Sequence, residues 1–396
     1  PYWAIKNGLL QAFPRLESDL SCDVAIIGAG ITGALIGRAL AAQSLDVVII
    51  DERDIAWGST AASTALLQYE IDTHLADLAR RYGETDAAMV YNSCADAIGI
   101  LRDIAHEIRD VAFAPAQSLY FASRRRHQHA LKREFEMRSR HGLDVRWLAK
   151  NQVRDCFGIA APCAILSAVA ARMDPYRFTS RLLRTLQRAG ARIFDRTRLE
   201  LLDLSGRRVR AHTQAATIQA RHIVMATGYA AQRWLPERVA VNRSSYAFVT
   251  DPIDVAALGP WSDTLLWESA RPFFYARSTD DHRLVIGGED DAIDIPNRRD
   301  RRLGKKIDRL RGRAAELFPN VRINTAFGWA GTFAETADGL PFFGAHPQSD
   351  PRVIFAMAYG GNGITYAVLG ADLIAATIKR RKHRLRSLFG FARLGA

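Results

Sequence analysis

The sequence predicts an α/β chain, α+β overall, in which one domain on a parallel sheet is interwoven with a second domain on an antiparallel sheet. Three observations carry this reading. A strand, glycine turn, helix and second strand occupy Cys22 to Glu52. Strand-to-helix signals of the same style recur in the middle and at the end of the chain. Between them, strand signals without intervening helices run from Ser245 to Ile286. Like signals that are scattered along the chain while unlike ones fill the gaps imply two domains, each discontinuous in sequence.

The first unit opens with Val24-Ala25-Ile26-Ile27 and the turn Gly28-Ala29-Gly30-Ile31-Thr32-Gly33. Gly28 permits the tight turn, Gly30 lets the backbone approach a pyrophosphate, and Gly33 lets the helix pack close to the sheet. The helix start offers unpaired N–H groups and the positive end of its dipole to phosphates. The second strand, Val47-Val48-Ile49-Ile50, ends on Asp51, 18 residues after Gly33, where a carboxylate can accept hydrogen bonds from an adenosine ribose. This is a Rossmann-like βαβ unit, and at this point FAD and NAD fit it equally.

A small-residue segment follows from Trp57 to Leu67, with Ser59, Thr60, Ser63 and Thr64 supplying hydroxyls among alanines. Helical periodicity runs from about Leu75 to Ile108. Ser118–Ala122 reads as a strand and Arg126–His141 as a charged helix. Asp174 and Pro175 have the chemistry of an N-cap and first helical residue, and Gly190 that of a C-terminal glycine. Strands are expected near Ala191–Phe194, Leu199–Leu204, Val209–His212 and Ile223–Met225, the last closing on Ala226-Thr227-Gly228. A basic helix spans about Arg301 to Leu317. The chain ends with strand Val353–Ala356, a glycine turn and a helix over about Ile364–Ile378.

That last turn, Tyr359-Gly360-Gly361-Asn362-Gly363-Ile364-Thr365, makes a second anion-tolerant helix start. Two such ends suit FAD better than NAD. The pyrophosphate occupies one, and the N1–C2=O edge of a reduced flavin, which carries negative charge, occupies the other. NAD has no corresponding group.

The bulk numbers agree with an enzyme of ordinary composition. With 396 residues, 48% hydrophobic and 24% charged, the chain can bury a large core. Its four cysteines show no metal or disulfide spacing, which points to a reducing, cytoplasmic compartment. The apolar run Val24–Ala42 is interrupted by four glycines and Arg38, and the βαβ unit explains it without a membrane span. Net charge is +12. The excess gathers in Arg124-Arg125-Arg126, in Arg298–Arg313 with nine cations against two Asp, and in the six cations of Lys379–Arg386. These are expected to be solvated helix faces and a frayed basic end rather than a nucleic-acid surface.

Taken together, the motifs resemble the D-amino-acid oxidase superfamily of FAD-dependent oxidoreductases, which includes glycine oxidase, sarcosine oxidase and related amine oxidoreductases. The resemblance runs from the fingerprint to Gly370. Its five motifs are the glycine turn with Asp51, Gly58-Ser59-Thr60, Met173-Asp174-Pro175, Ala226-Thr227-Gly228, and Asp338-Gly339-Leu340-Pro341 followed by Gly360-Gly361-Asn362-Gly363.

The resemblance implies an FAD domain over 20–82, 164–235 and 325–380, a substrate domain over 83–163 and 236–324, and a basic tail at 381–396. It implies an extended FAD held by Gly28, Gly30, Ile31, Thr32, Gly33, Asp51, Glu52, Ser59, Thr60, Thr64, Ala65 and Leu66. Leu199 would contact the adenine through its backbone, and Thr227, Gly228, Gly361, Asn362, Gly363, Ile364 and Thr365 complete the set. The implied chemistry is oxidation of the C–N bond of a small amine or amino acid, by hydride transfer to flavin N5 and hydrolysis of the imine.

Three departures qualify the substrate and acceptor. After Trp329-Ala330-Gly331, several family members have an arginine that holds the substrate carboxylate; here Thr332-Phe333 follows. Neither that segment nor Ser59–Ser63 holds the cysteine or histidine used elsewhere to attach FAD, so the cofactor is expected to be non-covalent. The strand Leu284-Val285-Ile286-Gly287 lacks the lysine that assists oxygen in sarcosine oxidases.

On the substrate side, alternation along Arg271–Arg277 puts Phe273, Tyr275 and Arg277 on one face. Tyr275 and then Tyr246 are the expected catalytic aromatics. Arg277 or Arg271 is expected to hold a carboxylate, and Glu335 to attract an ammonium group. Two other functions share this fold: a tRNA-modifying flavin oxidoreductase, marked by a basic groove leading to the flavin, and a flavoprotein subunit without amine turnover.

Overall fold

The computed structural model describes residues 1–357 and 359–395. Among these, the strands form two sheets. The first is eight-stranded. Its parallel core places the fingerprint strand Leu20–Ile27 between Val47–Ile50 and Thr217–Met225, with Arg192–Phe194 and Val353–Met357 outside them. Both faces of the fingerprint strand are covered, which is why its sequence is a continuous apolar run rather than an alternating one. Val24 and Ile26 meet the helix layer, whereas Ala25 and Ile27 meet Leu199, Val209 and Ala211 of the antiparallel strands Leu199–Asp203 and Val209–Thr213.

Helix Ile31–Ala41 packs between helices Gly363–Ile378 and Pro175–Arg188. Its close approach to the fingerprint strand and turn depends on Gly33, where a Cβ would lie 1.9 Å from the Gly28 carbonyl oxygen. Asp174 caps helix Pro175–Arg188 through Arg177 N–H, as its sequence position predicts.

The second sheet has nine strands, and its antiparallel run Thr325–Glu335, Val241–Thr250, Leu284–Asp291 and Phe274–Ser278 forms the platform under the site. Helix Leu303–Leu317 covers the platform's far face.

Several boundaries differ from the sequence expectation. Strand Cys163–Arg172, most of which falls within the expected FAD domain, pairs with Ala114–Phe121 and Val145–Ala149 in the second sheet, and Leu66–Gln68 pairs with it at the sheet's edge. Thr325–Glu335 also belongs there. Conversely, helix Glu84–Ile108, expected in the substrate domain, shares the core of the nucleotide-binding helices through Tyr91, Ala97 and Leu101. Period alone cannot say which layer an apolar helix or strand joins. The periodic stretch from Leu75 is also two helices, divided at Gly83, whose φ of 86° breaks the first.

The basic end is docked rather than frayed. Phe389 and Phe391 are buried, and the Arg393 guanidinium bonds Asp338 at 2.9 Å and the carbonyls of Leu340 and Pro341 at 2.7 Å. The apolar side chains among the cations, together with one buried charge pair, tie this segment to strand Phe342–Gly344. The basic helix is likewise neutralised. Lys306 and Arg309 pair with Glu289, Arg302 with Asp291, and Arg313 with Glu268.

Candidate active site

A single cavity of about 710 Å³ runs between the two sheets. It begins at the carboxyl ends of the parallel strands, where nucleotides bind in open α/β sheets. Gly28, Gly30, Ile31 and Thr32 line it there, with Asp51, Glu52 and Leu199 to one side and Thr227 and Gly228 to the other. Gly28 has φ 116°, and a Cβ would stand 2.4 Å from the Ala226 carbonyl, so the turn admits only glycine. Among the described residues, the N–H groups of Gly30 and Thr32 carry no hydrogen bond, as an anion-binding helix start requires.

Asp51 holds the turn as well as facing the cavity. Its Oδ2 accepts the Ala29 N–H at 2.8 Å and its Oδ1 the Arg53 N–H at 2.9 Å. Burial pushes the carboxyl above the usual range, against these two bonds.

Farther along, Ser59, Thr60, Thr64, Ala65 and Leu66 line the middle, and Gly361, Asn362, Gly363, Ile364 and Thr365 bring the second helix start to the far end. Thr60 Oγ1 accepts the Ile31 N–H at 3.0 Å, and Asn362 donates to the Glu70 carbonyl at 2.7 Å, so both ends are fixed to the same connecting segment.

The platform closes the cavity. Arg243, Ser245 and Ala247 line it from one strand, Phe273 and Tyr275 from another, and Trp267, Arg271 and Asp290 complete the wall. The Tyr275 ring lies over Gly287, where a Cβ would come within 2.4 Å of it, and its hydroxyl is 2.9 Å from Ser245 Oγ. Asp290 Oδ1 is buried without a hydrogen-bond partner. Burial pushes this carboxyl up to about 6, with the nearby Asp72 and Glu335 adding to the rise and Ser245 and Arg271 opposing it.

All the expected cofactor residues except Gly33 line this cavity. Gly33 instead serves the helix–strand contact described above. Of the expected substrate residues, Tyr275, Arg271 and Glu335 are brought together. Two expectations are corrected. Tyr246 sits on the opposite face of its strand, with its hydroxyl 3.1 Å from Asp291 and its ring beneath Lys306, because the cavity takes residues 243, 245 and 247. Arg277 does share a face with Tyr275 but lies beyond the cavity, fully buried, with its nitrogens bonded to the carbonyls of Thr64, Ser278 and Met173 at 2.6, 3.0 and 2.8 Å. It holds Thr64 in place, with each of its three nitrogens bonded to a backbone carbonyl, and it does not line the cavity. Glu335 lines the cavity as expected, but Arg243 and Arg271 bracket it, so its charge is already matched.

Asp290 escaped sequence reasoning because a bulge reverses the strand's alternation. Up to Gly287, odd positions face the cavity; Gly288 at φ 131° and Glu289 at φ 54° then turn Glu289 and Asp291 toward the basic helix and Asp290 inward. The glycine pair Gly287-Gly288 was the available signal.

An extended cavity with a nucleotide turn at one end and an aromatic, acidic platform at the other is the design of a flavin-dependent oxidoreductase. The chain belongs to the FAD-dependent oxidoreductase (DAO) family, whose model matches residues 23–377. It is 26% identical to glycine oxidase of Geobacillus kaustophilus (strain HTA426) over 377 residues, covering 91% of this chain and 93% of that one. It is 21% identical to gamma-glutamylputrescine oxidoreductase of Escherichia coli (strain K12), covering 96% and 88%. The crystal structure of glycine oxidase from Geobacillus kaustophilus superposes with a TM-score of 0.78 at 20% identity, covering 94% of this chain and 99% of that one.

The residues present fit FAD. Thr227 and Gln68 line the cavity, each with a buried side-chain oxygen that has no protein partner, and the two helix starts lie at different points along it. No cysteine or histidine is among the lining residues. Among the described residues, no cluster of His, Cys, Asp and Glu could hold a metal, and no helix is long and apolar enough to cross a membrane.

Proposed function

We propose that this chain oxidises the C–N bond of a small amine or amino acid, with the amine held on the platform between Tyr275 and Asp290. The observation that carries the reading is Asp290, which lines the cavity together with Tyr275 and carries a buried carboxylate oxygen without a hydrogen-bond partner. Bound in this cavity, FAD supplies the two-electron acceptor that takes hydride from the carbon bearing the nitrogen, and the imine released is hydrolysed to a carbonyl compound and the free amine.

The chain's own part is positioning. Asp290 accepts a hydrogen bond from the substrate nitrogen and attracts its ammonium form. Tyr275, fixed by Ser245 and Gly287, limits how the carbon chain lies. Trp267 and Phe273 exclude water from the reacting carbon. The helix start at Gly363 favours negative charge on the reduced cofactor. Asp51 takes the adenosine ribose, and the N–H groups of Gly30 and Thr32 take the pyrophosphate. A cytoplasmic setting accompanies this reading, with all four cysteines free.

Anaerobic titration of the FAD-loaded protein with a panel of amines and amino acids tests it. Bleaching of the flavin band, with a carbonyl product formed in equal amount, is the expected result. A flavin that stays oxidised against the whole panel refutes amine oxidation.

A further inference from the structure

A second cavity, of about 520 Å³, opens beside the first. The two share one wall, formed by Asp72, Trp267, Arg271 and Phe273. The lining of the second also includes Arg124 and Arg126, both exposed. Among the described residues, neither guanidinium takes part in an ion pair or a side-chain hydrogen bond. That distinguishes them from the basic helix, whose charges are largely spent on Glu289, Asp291 and Glu268.

The acids of the second cavity do not neutralise them. Asp77 is held by Arg80 at 2.5 Å and by Arg133 at 2.8 Å. Asp72 lies at the shared wall, where it accepts the Gly361 N–H at 3.1 Å. His127 is held down by burial and then by Arg126 and Arg124 themselves, so the two arginines supply the free positive charge.

The platform end of the first cavity presents the opposite balance. Its two platform arginines, Arg243 and Arg271, are both paired with Glu335, Asp72 and Asp290 lie in the same wall, and Thr332, not an arginine, follows Gly331. A carboxylate next to the reacting carbon finds no free cation there. An oxyanion farther along the molecule finds two, just past the shared wall.

We propose that the substrate is two-ended: its amine enters the first cavity, and a carboxylate or phosphate set several bonds away binds Arg124 and Arg126 in the second. This rests on the amine-oxidation reading and specifies its substrate class. Paired guanidinium forks suit either oxyanion, and their exposure makes the attraction sensitive to salt.

The test compares FAD-loaded protein on matched substrates: straight-chain primary amines against amino carboxylates and aminoalkyl phosphates of equal chain length. The tailed compounds should be preferred by about tenfold in kcat/KM, through KM, since a charged hydrogen bond at a partly exposed site contributes on that order. The double variant Arg124→Ser/Arg126→Ser should lose the preference. Arg125→Ser, which removes one charge from a neighbour that does not line the cavity, should keep it. The carboxylate and phosphate arms show which oxyanion is favoured. No preference in the parent protein, or a preference that survives the double variant, overturns the inference. Titration with glutarate, followed by the flavin absorbance band, separates the two readings. A saturable perturbation present in the parent and lost in the double variant sustains the anion site even if no amine is turned over. Absence of both perturbation and preference rejects it.

Discussion

Asp51 does two jobs with one carboxylate. It fixes the fingerprint turn through Ala29 and Arg53, and it presents its remaining lone pairs to the cavity. Asp51→Ala removes both, and FAD binding should weaken by about 1.5–3 kcal/mol, roughly ten- to a hundredfold. Equilibrium titration of the apoprotein with FAD measures this, and an unchanged Kd would place the ribose elsewhere. Asp290 gives the pH dependence. Its carboxyl is raised to about 6 by burial, Asp72 and Glu335, so it turns neutral as pH falls through that value and can no longer attract an ammonium group. The kcat/KM for a cationic amine should therefore drop about tenfold per pH unit on the acid side, and Asp290→Asn should abolish that limb. By linkage, the folded state holds this proton more tightly than the unfolded chain, so the ionisable side chain reduces stability as pH rises from 3.8 toward about 6. A parent and an Asn variant with identical acid limbs would remove Asp290 from the site.

At the scale of elements, small local devices decide which face a side chain meets. The bulge at Gly288 is one: a Cβ there would lie 1.8 Å from the Phe273 carbonyl oxygen, so the strand keeps its reversal only with glycine. A buried charge network is another. Arg138, fully buried on helix Gln128–Arg140, bonds Glu134 at 2.8 Å and approaches Glu70 at 3.6 Å. Burial would raise the Glu134 carboxyl, but Arg138, His74 and the N–H groups of Ala76 and Leu75 outweigh it and hold it low. Glu134 thereby caps helix Leu75–Tyr82 and ties it to its neighbour. Arg138→Met leaves buried carboxylate charge uncompensated and should cost about 3–5 kcal/mol in urea unfolding. A loss below about 1 kcal/mol would mean the helices are held by apolar packing alone.

For the whole molecule, the charge around the cavity governs how electrons leave. No lysine is among its lining residues, Arg243 and Arg271 share Glu335 and stand beside Asp72 and Asp290, and Arg277 lies outside it. Superoxide formed at the reduced cofactor would find no uncompensated cation on the platform, so an artificial dye should reoxidise the enzyme faster than air. Stopped-flow mixing of reduced protein with oxygen decides this, and rapid second-order reoxidation would contradict it. FAD should also leave the protein on acid precipitation, because neither cysteine nor histidine lines the cavity. Yellow colour retained in the pellet would show a covalent link.

The sequence by itself determined the parts that local chemistry specifies. Glycines at positions 28, 30 and 33, the acid at the end of the second strand, the Asp174–Pro175 cap and the second glycine turn each need particular residues at particular spacings, and all are found where the sequence puts them. The place of Tyr275 in the cavity wall was legible for the same reason, since regular alternation carries it to that face. What only the tertiary structure decided was partnership. Arg277 and Tyr246 have the chemistry of substrate residues, but one is spent on three carbonyls and the other faces the basic helix. Asp290 reaches the cavity wall through a bulge, and Arg124 and Arg126 are left lining the second cavity with no acid opposite them. A charge's function depends on which groups folding leaves beside it, and those groups come from distant parts of the chain.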